Sequence, residues 1–424
     1  MKKVLAVILV VVVVFIGLVY WSTSSTDKVF NTCSLLGNKN INEVDFFKYD
    51  SVLLIPNDMY KSDKVKDIIQ GQQYRKAWST PVKFPILFLD KFQGGVQVLE
   101  EGGGKQTHSL DIKDANGTVY TLRSINKDPE ALVPEVLRVL NLENVVIDGI
   151  SAQHPYGAIL AAELADAVGI RHTSPKAVFL PKQENLGKYN EEYGNRLFLL
   201  EYETEGKINW TDIPNVIEIM DSDDLQKLKH EHGDKVAINK AEFIKTRLFD
   251  MVIGDWDRHG KQWGWIVEQK NDSFIAHPLA GDRDNAFFNI DGIVPILISN
   301  KYLVPEMRPF ENDIDFFEGL VYPIDRYFLL NTETSVFVQQ AEELQNSLTD
   351  SVIDNAFKVW PKPIAQLDQQ EITEKLKGRR RHLKAYAKKF KQTIDELGAL
   401  NKAIKGSEDE NLPKDLIACF DCNL

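Results

Sequence analysis

The run Gly254-Asp255-Trp256-Asp257-Arg258-His259, followed by Gln262 and then Gly281-Asp282-Arg283-Asp284, places four aspartates, a histidine and an amide in one short segment. A polar cluster this dense, set between apolar runs, is costly to bury unless it binds a metal or moves a proton. It also fixes what must flank it. Before it, Val236 to Ile253 repeats Ile238, Phe243, Leu248, Val252 and Ile253 at helical spacing, which predicts a helix. After it, Trp263 to Glu268 and Ser273 to Leu279 read as two strands around an Asn271-Asp272 turn, the second running into Asp282.

Upstream the pattern is β-rich. Val96 to Leu99 reads as a strand, and Glu101 to Lys105, with Gly102, Gly103 and Gly104, as a glycine-rich turn. Gln106 to Ile112 alternates like a half-buried strand. Asp114-Ala115-Asn116-Gly117 carries the Asn-Gly hairpin signal, and Thr118 to Ile125 is the next strand. Pro155 to Val168 follows as a helix stopped by Gly169, then strand-like runs at 177–180 and 196–202. Residues 302–400 read mostly as helices. The basic run Lys377 to Arg381 is expected on a solvated helix face, and His154, His172 and His277 in loops or core.

Lys2 and Lys3 precede an unbroken apolar run from Val4 to Trp21, long enough to cross a bilayer. A cleaved signal peptide and an uncleaved signal anchor both fit. Tyr20 and Trp21 at its end favour the anchor, because both residue types prefer the membrane interface. Either way the body is expected on the extracytoplasmic side, in the periplasm or at the cell surface, anchored or secreted. Cys419 and Cys422 could then pair, or one of them could pair with Cys33. The net charge of -12 argues against a nucleic-acid partner, which calls for a basic face.

Phosphoryl transfer needs phosphates held, a divalent metal between them and a carboxylate near the attacking hydroxyl. Asp257, Gln262 five positions on, a hairpin and then Asp282 follow the order and spacing of those parts in protein kinases, with a glycine turn upstream. Asp257-Arg258-His259 with Gln262 resembles the inverted His-Arg-Asp loop of atypical kinases. Those are the HipA-type bacterial kinases, the secreted Golgi casein kinase family and the type II phosphatidylinositol 4-kinases. Asp282-Arg283-Asp284-Asn285-Ala286-Phe287 resembles the metal-binding motif of the last. More closely, about Tyr74 to Phe287 resembles uncharacterised exported bacterial proteins that share Gly-Gly-Gly-Lys-Gln-Thr, Leu-Arg-Ser and Gly-Asp-Trp-Asp-Arg-His runs.

The resemblance implies an α+β, two-lobed kinase-like fold behind the N-terminal anchor. Its expected parts are the anchor or signal peptide (1–21), a linker (22–43), an N-terminal extension (44–95), a β-rich N-lobe (96–205), a mostly helical C-lobe (206–402) and a tail (403–424). It also implies roles. Asp257 would be the base or substrate-orienting acid, with His259 beside it. Gln262 and Asp282 would bind Mg²⁺ or Mn²⁺, with Asp284 as the fallback. Gly102, Gly103, Gly104 and Lys105 would hold the phosphates of ATP or another nucleotide, and Arg123 or Lys127 would take the place of the phosphate-binding lysine. Phe198 to Tyr202, including Glu201, would be the hinge beside the base. The acceptor would be a hydroxyl on an unknown protein, lipid or glycan.

Three residues depart from that pattern: Arg123 for lysine, Gln262 for asparagine, and Ala158 where the helix should supply a glutamate. They leave two alternatives open. One is a catalytically inactive, pseudokinase-type envelope scaffold. The other is a metal-dependent phosphoesterase with Asp255, Asp257, His259 and Asp282 as ligands.

Overall fold

The N-terminal apolar run forms helix α1 (Lys2–Ser22), with a mean hydropathy of 3.1 in its central window. The computed structural model describes residues 1–26, 32–36, 40–102, 107–127, 133, 135–139 (136 and 137 by backbone alone) and 142–422. Among the described residues, α1 is the one helix long and apolar enough to cross a membrane. The chain just after it is tied to the body. Ser22 accepts a hydrogen bond from Gln70 Nε2 (3.0 Å), Thr26 donates to Asp148, and Asn144 donates to the Thr26 carbonyl (3.1 Å). Asp148 is itself held by Lys66 (2.7 Å) and Arg75 (2.5 Å), all three buried.

The molecule is a mixed α+β fold, with three sheets among the described residues. β1 (Ser34–Leu35), β2 (Ser51–Ile55) and β3 (Val82–Pro85) form a small antiparallel sheet, with α2 (Lys64–Gln70) between the last two in sequence. The second sheet holds β4 (Val96–Gly102), β5 (Ser109–Asp114), β6 (Val119–Ser124), β7 (Lys176–Leu180) and β8 (Arg196–Tyr202). Its order is β4-β5-β6-β8-β7, antiparallel throughout. Alternation along β7 and β8 explains how two cores meet on one sheet. Phe179, Leu197 and Leu199 face the main core with Leu160 and Leu164 of α3 (Gly157–Ala167). Val178, Leu180, Phe198 and Leu200 face a second core with Leu110 and Leu122.

The third sheet is built from β9 (Val216–Met220), β10 (Val236–Ile238), β11 (Trp263–Lys270) and β12 (Ser273–Ala280), in the order β10-β12-β11-β9. The single helix expected from Val236 to Ile253 is two elements. Val236 and Ile238 are buried either side of exposed Ala237, a period of two, and pair in parallel with β12. Asn239 then caps α4 (Lys240–Ile253) by accepting from the Glu242 amide at 3.2 Å. Two β-branched residues before a capping asparagine override the helical spacing that runs across them.

α5 (Ile293–Ile298), α6 (Thr334–Ser347) and α7 (Lys362–Leu397) follow, and α7 packs against both α4 and α6. The basic run on α7 is not simply a solvated face. Arg379 is buried, donates to the Met251 carbonyl at the end of α4 (2.7 Å), and lies 4.8 Å over the Phe310 ring. Of the histidines expected in loops or core, His154 is buried against Trp360 and His172 is buried, whereas His277 lies half-buried on β12 between Glu242 and Glu268. Cys419 and Cys422 form a disulfide, and Cys33 is buried as a thiol.

Candidate active site

Helix α4 ends where it must. Gly254 takes a left-handed conformation (φ 70°), and a Cβ there would lie 2.7 Å from Phe310, so glycine serves both the turn and the packing. The loop that follows is pinned by its own polar groups. The Asp255 amide donates to the Asp250 carbonyl (2.9 Å), Asp255 Oδ1 accepts from the Asp257 amide (3.3 Å), and Tyr322 donates to the Trp256 carbonyl (2.5 Å). Burial pushes the Asp255 carboxyl well above its usual range.

Arg258 joins the two halves of the cluster. It is fully buried, donates to the Gly281 carbonyl (2.8 Å), ion-pairs with Asp250 (3.1 Å) and lies 4.6 Å over the Trp263 ring. Asp250 gathers Arg258, Arg283 (3.0 Å) and Arg247 (3.2 Å). Burial opposes its charge, yet the three guanidinium groups hold its pKa down.

The β11–β12 hairpin does the rest. Its register pairs Trp263 with Ala280, so Gln262 and Gly281 fall opposite each other, and the Gly281 amide donates to the Gln262 carbonyl (3.1 Å). Asp282 therefore emerges beside Gln262. It has φ +50°, a sparsely populated region for a non-glycine residue and one that clusters at functional sites. Its Oδ1 is buried without a hydrogen-bond partner.

Cations on and just after β6 face these acids. Arg123 on β6 donates to Asp282 Oδ2 (3.2 Å) and ion-pairs with Glu201 on β8 (3.5 Å). Lys127 donates to Asp284 and to Thr107 Oγ1 (2.9 Å). Burial works against the charge on Asp282, but Arg123, Lys127 and Arg258, helped by the Gln262 amide, hold its carboxyl below the usual range. Asp284 shifts the other way, raised by burial and by Asp282. Burial and then the charges of Asp282 and Asp284 push Asp257 up to about 6. His259 lies with Nε2 3.8 Å from Asp257 and is pushed down to about 4, first by burial and then by Lys405 and Arg258, so its imidazole is neutral at neutral pH.

Glu201 is buried, accepts a hydrogen bond from Thr173, and is raised to about 7, chiefly by burial. It lines a small cleft with Ala158, Thr173, Gly281 and Asp282. Gly102 pairs with Ser109, which pairs with Arg123, so the end of β4 is two strands from the arginine. Gly103, Gly104 and Lys105 lie outside the described residues.

The structure thus brings together Asp257, His259, Gln262, Asp282, Asp284, Arg123, Lys127 and Glu201. Three contributors gave little sign in the sequence. Arg258 stands inside the motif, but only the folded loop shows it spanning to Gly281. Asp250 reads as one more polar residue on a helix. Lys405, whose carbonyl lies 2.5 Å from where a Gly260 Cβ would sit, comes from a stretch with no motif at all.

No family profile matches the chain, and no curated protein matches it. Among solved structures, the crystal structure of a Helicobacter pylori proinflammatory kinase, CtkA, is similar at 12% identity and a TM-score of 0.38. That similarity covers 72% of this chain and 98% of that one. At that score the likeness decides nothing, and the reading of the site rests on its own geometry.

Proposed function

We propose that the chain is a membrane-anchored, kinase-like phosphotransferase that uses a nucleotide with Mg²⁺ or Mn²⁺ to phosphorylate a hydroxyl on a protein, lipid or glycan outside the cytoplasm. The observation that carries the reading is the Arg123–Asp282 pair. A strand cation upstream and a metal-ligand candidate downstream, 159 residues apart, meet at 3.2 Å beside Gln262 and Asp257. Phosphoryl transfer draws on that set: a cation for phosphate, a carboxylate and an amide for metal, and an acid for the acceptor hydroxyl. Asp282 Oδ1 and the Gln262 amide would hold the metal, which would offset charge between the phosphates. Asp257 would orient the acceptor hydroxyl and take its proton, and Arg123 and Lys127 would face the phosphates.

Glu201 bears on the departure at Ala158. The carboxylate missing from α3 is replaced by one on β8, which pairs with the strand arginine from the neighbouring strand. The phosphoesterase reading has less support. Among the described residues, the group of three or more Asp, Glu, His or Cys whose ligand atoms lie within 4.8 Å of one another is Asp221, Asp223 and Asp224, which includes none of the hydrolase set. A kinase metal draws part of its shell from phosphate and needs no such cage.

The test is nucleotide binding and transfer by the full chain in nanodiscs, with Mn²⁺ or with EDTA, compared with Asp282→Ala. The expected result is Mn²⁺-dependent binding that Asp282→Ala abolishes, with phosphate transfer to a hydroxyl substrate. If neither protein binds any nucleotide, the reading fails. Binding without transfer to any acceptor would assign the scaffold alternative.

A further inference from the structure

We propose that the body is docked on the lipid bilayer by a second contact, helix α5 and the turn after it (Ile293 to Leu303), beside the base of α1. The proposal rests on the reading of α1 as a membrane anchor and adds a surface that the anchor alone does not require.

α5 has the sequence Ile293-Val294-Pro295-Ile296-Leu297-Ile298, and it turns most of these side chains outward. Ile296 is 57% exposed, Leu297 59%, and Leu303 in the following turn 72%. Exposed apolar side chains scattered singly are ordinary, but a contiguous group marks a contact surface. Val294 points inward and shares a small core with Val19 of α1, Ile69 of α2 and Val145. The patch is therefore continuous with the anchor helix.

The level of that contact along α1 points to lipid. Val4 to Trp21 is 18 residues, about 27 Å of helix against a hydrocarbon thickness of about 30 Å, so Val19 to Trp21 falls at the edge of the apolar layer. Tyr20 and Trp21, both exposed, are residue types that settle at that edge. Val294 of α5 and Val19 of α1 belong to one small core with Ile69 of α2, and α2 packs against both helices, so α5 sits near the depth of Val19. The collar of Ser22, Thr26, Gln70, Asn144 and Asp148 holds α1 to the body, so this depth is built into the fold.

α5 is also joined to the site. Asp291 accepts from the amides of Gln72 and Gln73 (2.9 Å each), which ties the segment before α5 to the end of α2. Eleven positions separate Asp282 from Ile293. A bilayer under α5 would keep the Asp282 loop close to the membrane surface and favour acceptors presented there.

The test uses the full chain in vesicles of phosphatidylcholine and phosphatidylglycerol. Leu297→Cys and Leu303→Cys, each carrying an environment-sensitive fluorophore, are compared with Val359→Cys, an apolar exposed position on another element. Flotation with the vesicles first establishes that α1 is inserted. Interfacial burial of the α5 face predicts blue-shifted emission at 297 and 303, with quenching by shallow nitroxide lipids at least about twofold stronger than at 359. Labels that stay water-exposed in floating protein overturn the docking and leave the anchor standing. A blue shift that escapes lipid quenching and grows with the protein-to-lipid ratio would assign the patch to a second copy of the chain, and would also overturn it. Both readouts are independent of nucleotide binding, so they can fail while the kinase reading stands.

Discussion

Replacing Asp257 by asparagine should stabilise the protein while removing its activity. The carboxyl is raised from 3.8 to about 6, first by burial and then by Asp282 and Asp284. The sign follows from linkage. A group whose folded pKa lies above its unfolded value favours the native state when protonated, and that stability is lost as pH rises from the unfolded value through the folded one. About two units at 1.36 kcal/mol each sets the cost near 3 kcal/mol, complete above pH 6. The side chain is 30% exposed, and solvent screening reduces the expected gain to about 1–2 kcal/mol. Asparagine has nearly the same shape and no charge, so it escapes the penalty. Thermal unfolding of the full chain in nanodiscs with EDTA, at pH 8 and pH 4.5, measures it. Asp257→Asn should melt a few degrees above the native protein at pH 8, with a clearly smaller gain at pH 4.5. Mn²⁺ at pH 8 should narrow the difference, because a cation near Asp282 relieves the same repulsion. An equal or lower melting temperature at pH 8, or a gain of the same size at both pH values, would refute an acid held ionised against its environment and return Asp257 to an ordinary polar turn.

Phosphate transfer should rise with pH through about 6 as Asp257 ionises, and that limb should remain in His259→Gln, because His259 is already neutral above about pH 4. A limb that disappears with His259 would transfer the role of base to the imidazole. Arg258→Met leaves Asp250 short of a buried partner and frees the Gly281 carbonyl, at a cost of about 3–5 kcal/mol visible as a lower melting temperature, with nucleotide binding weakened as the two loops separate. Asp148→Asn leaves Lys66 and Arg75 with a neutral partner and should raise hydrogen exchange at the amides of residues 23–26 while leaving the exchange of α7 unchanged.

The parts of the fold written locally were legible. Asn116-Gly117 marks the β5–β6 hairpin, and the Asn271-Asp272 turn between two apolar runs marks β11 and β12. The site was legible as a set of residue types at kinase-like spacing. What joins them is non-local and left no local trace. Glu201 was expected to offer backbone beside a nucleotide base, yet its side chain pairs with Arg123, because β6 and β8 are neighbours with Arg123 opposite Leu199 and Glu201 two positions further along β8, on the same face. Ala158 looked like a missing partner for that same reason: the substitute lies on another element 43 positions later. The β10 strand was hidden because Ile238 was counted in the helical series of α4 although it also alternates with Val236, and only β12 alongside decides between them. Arg379 was hidden by its basic neighbours, since one residue in a run of charges can turn inward where a helix C-terminus offers a carbonyl.

The β11–β12 hairpin acts as a ruler with one free end. Its eight pairs close at Trp263–Ala280, and the distance between Gln262 and Asp282 is set at that end alone. Asn271 and Asp272 form the opposite end and are exposed. Residues added there lengthen the chain between the two halves of the site without moving either half. A search that demands a fixed interval from Asp257 to Asp282 would therefore pass over proteins with the same site and a longer hairpin. For the same reason, this turn is where a reporter peptide can be inserted with the site left intact.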